Sequence, residues 1–214
     1  MAEVSNRLNG IGEYYFSSKL REIEELNKAG HRVINLGIGS PDLPPHPDVI
    51  QALYEEAIKP NTHAYQSYKG SAVLREAVAA FYDNWYHVQV NPQSEVLPLI
   101  GSKEGIMHIC MTYLNAGDGV LVPNPGYPTY SSAVRLAGGE ILSYKLKEEN
   151  DWHPVIAGWE ELVQQFRDSG KGKVKLLFLN YPHMPTGQLP DKSLLAAMVD
   201  FAKREDILII HDNP

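Results

Sequence analysis

From Glu95 onward the sequence repeats one unit, a short apolar run followed by a longer stretch with helical spacing, and this alternation restricts the chain to few architectures. Lys175–Leu179 (KLLFL) and Ile207–Ile210 (ILII) are continuous apolar runs rather than alternating ones. Strands of that kind are covered on both faces, as in parallel sheets carrying helices on each side. The predicted strands are Val96–Ile100, Val120–Val122, Glu140–Tyr144, Val174–Leu179 and Ile207–His211. Helices are expected between them at Lys103–Leu114, Tyr127–Ala137, Gly158–Arg167 and Asp191–Arg204. The expected class is α/β, a mostly parallel sheet with flanking helices. Ahead of it, Glu13–Ala29 reads as an amphipathic helix ended by Gly30, and Val33–Leu36 as a short strand. Gly37–Pro45 is a shaped loop, and two more helices follow, from Pro47 to about Lys59 and from the Ser71 cap to about Tyr86.

Composition narrows the function classes. With 43% hydrophobic and 21% charged residues the chain is a globular one, large enough for a core, and disorder is excluded. Its 19 basic and 26 acidic side chains leave a formal charge of −7 with no basic run, so nucleic acid and anionic membranes are poor partners. Cys110 is the single cysteine, which rules out an internal disulfide and suits a reducing compartment. The first residues lack a signal-peptide pattern and no run is long enough to span a membrane, so a cytoplasmic location is expected. The histidines show no metal-ligand spacing, and no metal is assigned. His211-Asp212-Asn213-Pro214 closes the sequence at the carboxyl end of a predicted central strand, where such a fold ordinarily runs on into a helix. The 214 residues are therefore expected to be part of a longer chain.

The residues that carry chemistry fall after the predicted strands. Gly101-Ser102-Lys103-Glu104-Gly105 joins a strand to a helix, which aims unpaired N–H groups and a positive dipole end outward. That is either a phosphate cup or a glycine turn in which Ser102 is only a cap. Asn124-Pro125-Gly126-Tyr127-Pro128-Thr129-Tyr130 places aromatics in a stretch stiffened by prolines, where a fixed ring could stack on a flat ligand. Asn180–Gly187 follows the fourth strand, and Asp212 ends the fifth. Asp212 is either a cap for the next turn or a counter-ion to a protonated ring nitrogen. Ligands bind at this edge of open α/β sheets, so the coincidence of the four segments counts for more than any one of them.

These segments resemble, in order and nearly along the whole chain, the class I/II aminotransferases of the aspartate-aminotransferase fold. The matching stretches are NLGIGSPDLPP at Asn35, YQSYKGSAVLREA at Tyr65, GSKEGI at Gly101, AGDGVLVPNPGYPTY at Ala116, NYPHMPTG at Asn180 and the closing HDNP. The resemblance implies an N-terminal arm and part of a small domain over residues 1–45. Residues 46–214 would be the first, incomplete part of a large domain that binds pyridoxal 5'-phosphate (PLP). Gly101, Ser102 and Lys103 match the phosphate-binding helix start, Tyr127 the aromatic that stacks on the pyridine ring, and Asp212 the partner of the ring nitrogen. Tyr65 matches the tyrosine that reaches the cofactor phosphate of a neighbouring subunit, and Gly39 the loop glycine beside the substrate carboxylate; both roles imply a homodimer. Met184 departs from the pattern, because an asparagine that hydrogen-bonds the ring oxygen normally precedes Pro-Thr-Gly.

The resemblance further implies that the Schiff-base lysine and the arginine that grips the substrate carboxylate lie downstream, so that residues 1–214 alone are expected to be inactive. Amino acids and 2-oxo acids are the implied substrates, and EYYFSSKLREI and GSKEGIMHI look most like the diaminopimelate- and alanine-using branch. A PLP-dependent lyase or synthase on the same fold, or a non-catalytic scaffold or regulatory domain, remain the alternatives.

Overall fold

The computed structural model describes residues 3–9, 11–37, 39 and 41–213. Contacts divide the described residues into two compact units, one made of residues up to 11 together with those from 99 onward, the other of residues 12–98.

In the larger unit four strands, β1 (Gly119–Asn124), β2 (Glu140–Lys145), β3 (Val174–Asn180) and β4 (Leu208–Asp212), form one sheet of order β2-β1-β3-β4. Every neighbouring pair is parallel. The side chains alternate between two cores. Val120, Val122, Leu176 and Phe178 point to a cluster completed by Ile106, Cys110, Tyr130 and Val134. Leu121, Leu177 and Leu179 point to the other, with Trp159, Val163, Met198 and Phe201. In the central strands β1 and β3 both faces are buried, which leaves no room for polar alternation, whereas β2 alternates exposed and buried residues.

The helices of this unit are α4 (Ser102–Tyr113), α5 (Pro128–Leu136), α6 (Ile156–Asp168) and α7 (Lys192–Glu205). The first two supply the Cys110 cluster and the last two the Trp159 cluster. The α7 start is fixed locally: Asp191 Oδ1 accepts from the Leu194 N–H at 2.7 Å, as an N-cap should. From β1 the chain moves outward through α5 to β2, then returns through α6 to β3 on the far side of β1. The connections leaving β1 and β3 therefore diverge, making the carboxyl edge between them the place where this topology opens a ligand site.

Residues 12–98 hold α1 (Tyr15–Lys28), α2 (Pro47–Ala57) and α3 (Ala72–Tyr86). Gly30, at φ +91°, ends α1 in a Schellman motif, with Gly30 N–H donating to Asn27 and His31 N–H to Leu26, both at 3.0 Å.

Two predicted strands are absent. Val96–Ile100 forms no ladder among the described residues: Pro98 has no N–H to give, and Leu97, Leu99 and Ile100 are 60%, 45% and 93% exposed. At Val33–Leu36 local side chains take the backbone groups a ladder would use. Asn27 Oδ1 accepts from Val33 N–H at 2.5 Å, and Asn35 Oδ1 from Gly37 N–H at 2.9 Å. No helix among the described residues is long and apolar enough to cross a membrane.

Candidate functional site

Five of the expected residues lie in the larger unit at the carboxyl edge of the sheet. Gly101 is the N-cap of α4, and its φ of +95° is a conformation glycine adopts without strain. Nothing stands within 4 Å of where a Cβ would be, so the approach to the helix start is open there. Ser102 and Lys103, the first two helical residues, are exposed. Glu104 folds back so that its Oε2 accepts from Ile100 N–H at 2.6 Å, fixing the turn that precedes the helix. Lys103 Nζ lies 5.7 Å from the centroid of the Tyr127 ring, a cation–π contact that ties the α4 start to the segment after β1.

Tyr127 is itself the N-cap of α5, preceded by Gly126. A Cβ on Gly126 would meet the Pro123 carbonyl oxygen at 2.5 Å, so the tight path into Tyr127 admits no larger residue. One helical turn on, Tyr130 is fully buried, stacked on Phe178 at 4.7 Å and edge-on to Tyr127 at 5.6 Å. Its hydroxyl donates to Asp212 Oδ2 at 2.7 Å. Burial, reinforced by the Asp212 carboxylate, holds the Tyr130 hydroxyl far above the usual tyrosine range, so it stays protonated and remains a donor. Asp212 ends β4 half-buried, in register with Asn180 at the end of β3. One of its oxygens is occupied by Tyr130, and the other is left for a second partner.

The segment after β3 closes the site from the other side. Asn180, 3% exposed, donates through Nδ2 to the Asp212 carbonyl and accepts through Oδ1 from Met184 N–H, both at 2.8 Å. His183, 2% exposed, bridges Pro125 O at 3.2 Å through Nε2 and Thr186 Oγ1 at 2.8 Å through Nδ1. A carbonyl only accepts, so Nε2 carries the proton; in the neutral ring Nδ1 then accepts from the threonine hydroxyl. Burial lowers the His183 pKa, with the Pro125 bond opposing it, which favours this neutral form. Met184 is 44% exposed, and it bonds to Asn180 through its backbone N–H.

Tyr65 and Gly39 lie in residues 12–98, both exposed, with Tyr65 at 107%. The sequence reading missed Tyr130 and His183. An i, i+3 aromatic pair from Tyr127 was the available signal for Tyr130, but its partner lies 82 residues away and leaves no local trace. A hollow of about 1080 Å³ opens at the opposite, amino edge of β3 and β4. Its charged side chains include Arg167 and Lys175, paired with Glu205 at 2.9 Å and Asp118 at 2.7 Å, and none of the expected site residues lines it.

Residues 31–213 match the family model for aminotransferase class I and II. The LL-diaminopimelate aminotransferase of Halothermothrix orenii is 40% identical over 210 residues, 98% of this chain and 52% of that protein. Transaminase BacF of Bacillus subtilis is 41% identical over 197 residues, 92% of this chain and 48% of its own. The apo-BacF structure superposes with a TM-score of 0.88 at 38% identity, covering 99% of this chain and 52% of that one. The chain thus spans about half the length of the curated relatives it matches.

Proposed function

The chain belongs to the class I and II aminotransferases, and from that premise we propose that the full protein moves an amino group between an amino acid and a 2-oxo acid, using PLP. Members of this family depend on PLP, and the donor set at the carboxyl edge suits it. The open start of α4 offers N–H groups, the Ser102 hydroxyl and the Lys103 charge to a phosphate dianion. The Tyr127 ring offers a face to a flat pyridine. The Asp212 carboxylate keeps one oxygen for a protonated ring nitrogen. When bound, PLP supplies an electron sink for charge left on the substrate carbon after a proton departs.

The chain's own residues bind, orient and hold a proton. Gly101, Ser102 and Lys103 anchor the phosphate, and Tyr127 restrains the ring plane. Asp212 holds the proton on the ring nitrogen, and Tyr130, by occupying Oδ2, fixes which way the carboxylate faces. Tyr65 belongs to the phosphate site of a neighbouring subunit and Gly39 to the substrate-carboxylate loop, so the working form is a homodimer. Residues 1–45 form the arm with part of a small domain, and 46–214 the first part of the large one. The Schiff-base lysine is supplied from the part of the family's length that this chain does not span. Likeness to an LL-diaminopimelate aminotransferase and to BacF supports an amino-acid donor of that branch.

The observation that carries this reading is the Tyr130–Asp212 hydrogen bond, which presents a carboxylate beside the aromatic cap of α5. The test is full-length protein incubated with PLP, 2-oxoglutarate and either LL-diaminopimelate or alanine. Glutamate formation is expected. PLP binding without glutamate from any donor would move the assignment to a lyase or synthase, and no PLP binding would overturn it.

A further inference from the structure

We propose that His183 is a positioning residue: its imidazole locks the Pro125–Tyr127 segment to the segment after β3, and so sets where the Tyr127 ring stands relative to the Asp212 carboxylate. The inference rests on the PLP reading above, since it concerns the two groups expected to hold the cofactor ring.

The contacts form a closed circuit. Tyr127 touches Tyr130 ring to ring, Tyr130 donates to Asp212, and Asp212 accepts from Asn180 through its carbonyl. Asn180 accepts from Met184 N–H, Met184 follows His183 in the chain, and His183 donates to the Pro125 carbonyl, two residues before Tyr127. The His183 side chain joins the segment after β3 to that after β1. Without it the circuit opens at the point where the topology diverges, and the Tyr127 segment loses its tie to the segment after β3 while keeping its contacts with Tyr130 and Lys103.

The imidazole is suited to this task because its two nitrogens act in opposite senses. Nε2–H satisfies Pro125 O, while Nδ1 receives the Thr186 hydroxyl, whose oxygen also accepts from Gln188 N–H at 3.4 Å. Further bonds fix the backbone of the residue: His183 N–H donates to Gln188 O at 2.8 Å, and Gly187 N–H to His183 O at 2.6 Å. With 2% exposure the ring has no water to substitute for a lost partner, so each bond is expensive to break.

The test uses the full-length protein with His183→Leu, His183→Gln and Thr186→Val. PLP affinity is measured by titration, and the induced circular dichroism of bound PLP reports how the ring is oriented. His183→Leu fills the space without either bond and is expected to weaken PLP binding about tenfold and to reduce the dichroic signal, the scale of one lost buried hydrogen bond. His183→Gln keeps a donor for Pro125 and should recover most of both. Equal affinity and dichroism in His183→Leu and the parent would overturn the proposal, as would a glutamine variant no better than leucine. Should His183→Leu not fold, Thr186→Val decides: it removes only the hydroxyl, and a two- to threefold loss is expected, whereas none overturns the proposal. Hydrogen exchange of residues 124–130 in the cofactor-free protein should quicken in the variants. It keeps the clamp testable even if the parent binds no PLP, a result that would count against the proposed function instead.

Discussion

Trp159 and Trp85 both sit on helices, α6 and α3, yet the first is fully buried and the second is 73% exposed. The contrast extends to the units that contain them. Residues 99–213 bury two apolar clusters against a sheet whose pairings join distant parts of the chain. Among the described residues of 12–98 the one buried residue is Arg75, whose guanidinium donates to the Pro92 carbonyl at 2.5 Å and to Gln93 at 3.1 Å. The helices there rest on local devices instead, such as the Gly30 cap and the i,i+3 and i,i+4 ion pairs Lys19–Glu22 and Glu24–Lys28. Such pairs contribute only ~0.2–0.5 kcal/mol each. Helical periodicity alone thus specifies an element without specifying what covers it; in one unit the cover is present, and in the other Leu53, Trp85 and Ile58 face solvent.

Truncating the two tryptophans is the largest expected contrast. In the full-length protein Trp159→Ala should lower unfolding free energy by ~3–5 kcal/mol, the range for removing a large aromatic from a packed core. Trp85→Ala should change it by no more than about 0.5 kcal/mol, as for an exposed position. Chemical denaturation of both variants decides. If Trp85→Ala costs as much as Trp159→Ala, the α3 face is covered in the full protein and the contrast belongs to these 214 residues alone.

Asp212 ranks next. Its replacement by alanine in the full protein should cut turnover by a factor of ~10² or more, since it removes the carboxylate proposed to keep the cofactor's ring nitrogen protonated, while PLP retention falls much less. The proposed phosphate site at Gly101–Lys103 is built on the start of another element, α4, and should survive the change. Kinetics and a PLP titration on one preparation provide the check; equal losses in both would dissolve the separation between anchoring and electronic roles.

How much of this was readable in the sequence differs between the units for the same reason. Of the two continuous runs, KLLFL lies in β3 and is buried on both faces, whereas ILII forms β4 as expected but is only partly buried, with Leu208 42% exposed. Val96–Ile100 failed because an apolar run says nothing about its hydrogen-bond partner, and Pro98 already argued against a ladder. The cap at Gly30 was legible because its partners lie within a few residues. Tyr130–Asp212 and His183–Pro125, separated by 82 and 58 positions, were not, since no spacing rule connects them before the sheet brings β1, β3 and β4 side by side.

Asp118 offers a smaller test on the larger unit. Burial pushes its carboxyl up, but bonds from Lys175, Asn115 N–H and Lys173 N–H outweigh that and hold it below the usual range. A carboxyl lowered by folding adds stability above its unfolded pKa, and that contribution disappears as pH falls through the folded value. Asp118→Asn should therefore destabilise the protein at pH 7 by about 1–3 kcal/mol. The gap to the parent should shrink as pH drops below about 4, the ordinary aspartate range. Glu24→Gln on exposed α1 should leave stability nearly unchanged at every pH, because the solvent-exposed Glu24–Lys28 pair is screened. Denaturation curves across pH that show the same behaviour for both would erase the distinction between long-range and local anchoring.

Met184 gives the smallest expected effect on folding and a separable one on chemistry. Its side chain is 44% exposed, while its N–H already serves Asn180 Oδ1. A change of side chain leaves that backbone bond in place, so Met184→Asn should shift unfolding free energy by no more than about 0.5 kcal/mol. At the motif position expected to face the cofactor's ring oxygen, asparagine would add a donor that methionine lacks. A donor to the charged oxygen favours the form without the proton, so the variant's bound-cofactor absorbance should titrate at lower pH than the parent's. One hydrogen bond of ~0.5–1.5 kcal/mol corresponds to a shift of up to about one pH unit. An unchanged titration with unchanged stability would mean that the side chain at 184 only faces solvent, and that this turn serves the site through Asn180 and His183 alone.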